Sequence, residues 1–261
     1  MQEPVYIDLG QVEVFNLQSD LASFGDNNLK RKFAKANQKE LMERLIDELS
    51  DGSLYLGDWS KGEIQITGVR RIVSNRYWTE IEYDVLFPPK AGKSEPAVGT
   101  YRNIVWNAGA VPGSGVLAIT TKGEIVLLRS FRHAVRSWTL ELPRGVRKPG
   151  ESPADCAKRE GLEECGVVMT ATSKLVDLGL YQADTGVLRM DVPLFCLTDV
   201  EVDESRVSRD ISESTLKPIL VGLERFGQMV KIGEIRDGFV QAAVLRAMLH
   251  GLLPLASNSV N

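Results

Sequence analysis

Hydrophobic and polar positions change their period several times along the chain, and each change predicts an element. In "NQKELMERLIDELSDG", Leu41, Leu45 and Leu49 repeat every four residues. This predicts a helix capped by Asn37, with Glu40 placed for a capping box and Gly52 at its end. In "RYWTEIEYDVLF" the period drops to two. Tyr77, Thr79, Ile81, Tyr83 and Val85 oppose Trp78, Glu80, Glu82 and Asp84, as in a strand with one buried face. "PPKAGKSEP" reads as a loop, and "TYRNIVWNAG" as a further strand. "GVLAITTKGEIVLLRSF" is apolar on both sides of Lys122-Gly123, which predicts two core strands joined by a tight turn. "WTLELP" is a short strand ending at Pro143, and "VPLFCLTDV" and "LKPILVGL" are strand candidates.

The helical period returns three times. Ser152 is placed to cap a helix with Pro153 in its first turn and Gly166 just past its end. "ERFGQMVKIG" and "RDGFVQAAVLRAMLHGLL" are later helix candidates, the second with Val240, Ala243, Val244 and Met248 on one face. Strands and helices mix without a regular βαβ beat, so the class is α+β or a mixed-sheet sandwich.

Composition narrows the chemistry. A net charge of -4 and a pI near 5.4 give no support to a nucleic-acid or anionic-membrane surface. No apolar run approaches bilayer length, and the N-terminus lacks a signal-peptide pattern. Cys156, Cys165 and Cys196 form no metal-ligand spacing, and their odd number excludes a complete disulfide framework, so a reducing, cytoplasmic setting is expected. With only His133 and His250, a multi-histidine zinc site is not expected either. Catalytic groups, if any, must come from carboxylates and arginines.

The carboxylates concentrate in "GVRKPGESPADCAKREGLEECGV", residues 145–167. Glu160, Glu163 and Glu164 fall at i, i+3, i+4, on one helix face, where like charges repel by a few tenths of a kcal/mol per pair. A solvated surface helix is the commoner meaning of such a run. Convergent oxygens beside a glycine turn are also what a hard divalent cation requires. Gly161, in mid-helix, costs about 1 kcal/mol relative to alanine, which a purely structural helix would avoid.

This stretch resembles the Nudix box, G-x5-E-x7-R-E-U-x-E-E-x-G-U, with U a bulky aliphatic residue. Gly145, Glu151, Arg159, Glu160, Glu163, Glu164, Gly166 and Val167 are in register, while Gly161 replaces an aliphatic residue and is expected to pack the helix less firmly on its sheet. The resemblance implies an α/β/α sandwich around a mixed sheet and hydrolysis of a nucleoside-linked pyrophosphate. It implies Mg²⁺, with Mn²⁺ as an alternative, on Glu160, Glu163, Glu164 and the main-chain carbonyl of Arg144. Arg159 and Glu151 would hold these carboxylates in place.

Upstream, "IVLLRSFRHAVRSWTLELPRG" is similar to the run found in ADP-ribose pyrophosphatases and their relatives, matching at Arg132, Glu141, Leu142, Pro143 and Gly145. That branch implies substrate contacts from Arg132 and Glu141. Trp138 stacks either on a base or into the core, and Arg132 is either a phosphate contact or an exposed strand-end charge. Thr185-Gly186 stands where the branch usually has Pro-Gly, which leaves ADP-ribose, nucleotide sugars and dinucleotides all open. A catalytic glutamate in a late loop would be Glu213, with Asp210 second. The resemblance spans residues 64–252. It suggests a catalytic domain over 110–261, a β-rich subdomain over 63–109 that pairs two subunits into a homodimer, and a partly helical extension of open role over 1–62. The reading from another class is a Nudix-fold sensor that binds a nucleotide without hydrolysing it. Such proteins tend to lose box carboxylates, and this chain keeps them all.

Overall fold

The computed structural model describes residues 13–16, 54–74, 77–106, 112–208 and 214–254. The helix expected over 37–52 and the candidate base Glu213, with Asp210, lie outside these residues. The chain divides into two compact units, 1–110 with 184–189, and 111–183 with 190–261.

In the first unit, β1 (Glu13–Asn16), β2 (Gln65–Ser74), β3 (Trp78–Phe87), β4 (Ala97–Trp106) and β10 (Leu188–Arg189) form a five-stranded sheet in the order β1-β2-β3-β4-β10. The alternation read from the sequence is realised in β3. Thr79, Ile81, Tyr83 and Val85 are buried, and Ile81, Tyr83 and Val85 share a core with Val69, Ile72 and Val105. Tyr77, before the strand starts, is exposed.

The second unit is built on β5 (Gly113–Thr120), β6 (Ile125–Arg132), β7 (Ser137–Glu141), β8 (Arg144–Val146), β9 (Val167–Tyr181), β11 (Val192–Val202) and β12 (Ile219–Val221). Their sheet runs β12-β6-β5-β11-β9, with β7 paired to β6 and β8 to β5. It is mixed, since β11 lies parallel to β5 and antiparallel to β9. All eight residues of β5 are buried, as expected of a central strand covered on both faces. Val116 and Ala118 face helix α1 (Pro153–Cys165), and pack with Ala157 and Cys165. Leu117 and Ile119 face the opposite way, towards α2 (Leu223–Lys231) and α3 (Gly238–Leu249), and pack with Phe226, Met229, Val240 and Val244. Each such aliphatic side chain contributes roughly 1.5–3 kcal/mol by leaving water. The unit is therefore the α/β/α sandwich expected of it. Among the described residues, no helix is long and apolar enough to cross a membrane.

Gly161 corrects one expectation. It is buried, and a Cβ built on it would lie 3.3 Å from Cγ1 of Val116 and 3.5 Å from Cβ of Val167. The missing side chain lets α1 sit so close to the sheet that even a methyl group there would press slightly on Val116.

Candidate active site

Helix α1 starts at Ser152, whose hydroxyl accepts from the Asp155 N–H, and ends at Gly166 in the left-handed conformation. Strand β8, just before it, presents Gly145 directly to the helix. A Cβ at Gly145 would fall 2.1 Å from Oε1 of Glu160, so the carboxylate packs against bare backbone. Gly145 does not lie in the left-handed region. Proximity, not backbone conformation, is what requires glycine here.

Arg159 organises the acidic face. Its Nε donates to Glu151 Oε1 at 2.7 Å and its Nη2 to Glu151 Oε2 at 2.9 Å. Its Nη1 donates to Glu160 at 2.7 Å and to Glu163 at 2.8 Å, and Nη2 also reaches the Val146 carbonyl at 3.0 Å. One planar guanidinium thus serves three carboxylates and a carbonyl through five bonds, more than the three donors of a lysine could make. The paired guanidinium holds the Glu151 carboxyl down at about 2. For Glu163, burial pushes its carboxyl up, but Arg159 and Lys148 outweigh it and hold the group below the usual range. Glu160 and Glu164 are only 8% and 7% exposed, and Glu164 accepts from the Arg144 N–H at 2.8 Å.

A second cluster lies at the β6–β7 hairpin. Glu141 is 2% exposed and bound side-on by Arg132, with Nε at 2.8 and 2.9 Å from its two oxygens and Nη2 on Oε2. Thr139 Oγ1 donates to the same carboxylate, and Arg144 Nη2 lies 2.9 Å from it. Burial pushes the Glu141 carboxyl up, but Arg132, Arg144 and Thr139 together hold it below its ordinary value. Beyond Arg144 stands Asp237, whose carboxyl is raised by burial and only partly drawn back by that guanidinium.

Residues 110–215 match the sequence profile of the NUDIX domain. The chain carries a Nudix domain. An ADP-ribose pyrophosphatase of Bacillus subtilis (strain 168) is 29% identical over 144 residues, 55% of this chain and 74% of that protein. A GDP-mannose pyrophosphatase of Enterobacter sp. (strain 638) is 24% identical over 139 residues, covering 51% and 70%. The solved structure of an ADP compounds hydrolase shares the fold, with a TM-score of 0.58 at 18% identity over 72% of this chain and 95% of that one. This Nudix chain is a hydrolase of the pyrophosphatase class.

Within the Nudix domain, the residues singled out in the sequence sort into two groups. Gly145, Glu151, Arg159, Glu160, Glu163, Glu164 and the Arg144 main chain come together around α1; Arg132 and Glu141 form the hairpin cluster, which Arg144 joins through its side chain. Trp138 does not join either. Phe131 pairs with Trp138 and Arg132 with Ser137, so strand alternation sets Trp138 on the hairpin face opposite Arg132 and Glu141. There Trp138 meets Phe131 edge-on, with centroids 5.7 Å apart, and Arg129 lies over its ring. Sequence reasoning passed over Lys148, Thr139 and Asp237. Asp237 accepts from the Val240 N–H as the cap of α3, a signal legible in "RDGFVQ". Its pairing with Arg144, 93 residues away, was not.

The donor set suits a divalent cation by its chemistry, being hard oxygens only, two of them on largely buried carboxylates. Glu160, Glu163, Glu164 and the Arg144 carbonyl are the groups that would hold it. Among the described residues, no three of His, Cys, Asp and Glu face one another as a ready-made cage. Glu160 and Glu163 turn onto Nη1 of Arg159, and Glu164 onto the Arg144 N–H.

Proposed function

We infer that this chain is a metal-dependent Nudix pyrophosphohydrolase acting on a nucleoside diphosphate linked to a second moiety, with ADP-ribose and nucleotide sugars as the leading substrates. The observation that carries the reading is Arg159. It holds Glu151, Glu160 and Glu163 together beside a glycine whose missing side chain leaves room for the Glu160 carboxylate. A surface helix selected only for solubility would have no use for such an arrangement.

A bound Mg²⁺ or Mn²⁺ would neutralise charge on the pyrophosphate oxygens and lower the pKa of a water molecule. The chain's own part is placement. Arg159 and Glu151 fix the carboxylates, and Gly145 lets Glu160 approach the backbone. Arg132, spent on Glu141 through Nε and Nη2, is still about half exposed, so its guanidinium is placed to meet a phosphate. The names of the relatives support a nucleoside diphosphate joined to a sugar. A homodimer through the first unit is part of the proposal, supported by the exposed Val98 and Tyr101 on β4. Three free, buried cysteines support a reducing, cytoplasmic setting.

The test is release of phosphate or nucleotide from ADP-ribose, GDP-mannose, ADP-glucose, NADH, diadenosine polyphosphates and coenzyme A, with Mg²⁺ or Mn²⁺ and with EDTA. One compound should be turned over well above the others, and only with metal. Glu164→Gln, folded and metal-replete, should lose activity by two orders of magnitude or more, about the cost of one misplaced catalytic group. Wild-type turnover in that variant sinks the assignment. Nucleotide binding without turnover across the panel moves the reading to a sensor.

A further inference from the structure

Arg144 belongs to both clusters, by different atoms. Its main-chain N–H donates to Glu164, and its main-chain carbonyl is among the groups expected on the metal. Its side chain leads away from the box. Nη2 meets Glu141 at 2.9 Å, and Nη1 lies 3.3 and 3.2 Å from the two oxygens of Asp237. The guanidinium carbon is 4.4 Å from the centre of the Phe239 ring, which in turn packs on Tyr181 with centroids 4.6 Å apart. Arg132, Glu141, Arg144 and Asp237 thus form a chain of alternating charge.

The far end of that chain is firmly held. Asp237 caps α3 by accepting from Val240 N–H at 3.0 Å, and α3 is fixed by Val240, Ala243, Val244 and Ala247 in the core. A buried ion-pair chain of this sort adds little net stability, because desolvation offsets attraction. Its geometry is specific nonetheless. A flat fork that serves two carboxylates while stacked on a ring cannot be supplied by a lysine.

We propose that Arg144 is a positioning residue that couples the substrate side of the site to the box carboxylates. Its side chain holds Glu141, and through Glu141 the phosphate-facing Arg132. The same grip, anchored on Asp237 and Phe239, fixes the main chain that orients Glu164. What Arg132 contacts rests on the pyrophosphohydrolase reading, but the link from Asp237 to Glu164 stands apart from it.

The experiment titrates Mn²⁺ alone into the full chain, reading free Mn²⁺ by electron paramagnetic resonance, and measures kcat and KM separately on the best substrate. Arg144→Ala should weaken Mn²⁺ binding about tenfold, as removal of a group orienting a metal ligand does, and should raise KM. Arg144→Lys should recover the thermal midpoint without recovering Mn²⁺ affinity or KM. Asp237→Asn keeps the helix cap and should shift both readouts the same way by a smaller factor. In Arg132→Ala, adding Arg144→Ala should raise KM by less than it does alone. Wild-type Mn²⁺ affinity in Arg144→Ala, a fully active Arg144→Lys, or a multiplicative double variant overturns the coupling. If Arg144→Ala does not fold, unchanged Mn²⁺ affinity and KM in Asp237→Asn overturn it instead. A wild-type chain that binds Mn²⁺ but hydrolyses nothing defeats the proposed function alone, and the Mn²⁺ series still decides the coupling. A chain that takes up no Mn²⁺ overturns both.

Discussion

Gly145→Ala separates the fold from the chemistry. The new methyl would stand 2.1 Å from Oε1, 2.3 Å from Cδ and 2.6 Å from Oε2 of Glu160. Ordinary contact needs about 3.5 Å, so the carboxylate must retreat by more than about 1 Å. The backbone itself need not change, since Gly145 lies outside the left-handed region. The Glu160 carboxylate is the far end of a flexible side chain, and its retreat breaks the 2.7 Å bond from Arg159. A charge-assisted hydrogen bond of that kind is worth about 1.5–3 kcal/mol, which sets the expected stability loss. Displacing a catalytic group by 1 Å can cost roughly 10²-fold in rate. The variant should therefore fold, melt a few degrees lower, and lose about two orders of magnitude in kcat at saturating Mg²⁺ or Mn²⁺. Thermal melting and steady-state release of nucleoside monophosphate on the same preparation check this. A folded variant with activity within threefold of wild type would refute the idea that the approach of Glu160 to Gly145 matters.

Arg159→Ala leaves the largely buried Glu160 without its guanidinium, at a cost of about 3–5 kcal/mol in metal-free protein. Because a divalent cation can replace the lost charge, Mg²⁺ should raise the melting temperature of this variant more than that of wild type; equal shifts would count against a metal on Glu160. The depressed carboxyl of Glu151 makes its contribution to stability complete above about pH 4.5, and that contribution is lost as pH falls towards 2. Glu151→Gln should flatten acid unfolding of the metal-free chain in that window, and an unaltered acid limb would dissociate Glu151 from it. Arg132→Ala should raise KM about tenfold or more, the worth of a charged hydrogen bond. Trp138→Ala, on the opposite hairpin face, should stay within about threefold; the reverse order would place substrate on the aromatic face.

The box was legible because its geometry is local. Glu160, Glu163 and Glu164 share a face by helical period alone, and Ser152, Pro153 and Gly166 announce where that helix starts and stops. The buried strands β5 and β6 were legible as apolar runs around Lys122-Gly123, as was the buried stripe of α3. β9 was not recognised. It lies at the sheet edge, its alternation is broken by the polar run Thr172-Ser173-Lys174 and the apolar pair Leu175-Val176, and it is a strand because β11 pairs with it across register shifts. β8 spans only three residues and exists through its pairing with β5.

The chain by itself therefore determined a mixed α+β class and the carboxylate helix and, through the resemblance its box carries, the α/β/α sandwich and the kind of chemistry, because period, caps and a short spaced motif are properties of neighbouring residues. Tertiary structure alone decided what those residues touch. It made Gly161 a point of close packing against Val116, set Trp138 and Arg132 on opposite faces of one hairpin, and brought Asp237 to Arg144. Each of these follows from side-chain direction and from contacts between elements distant in sequence, where residue spacing carries no information.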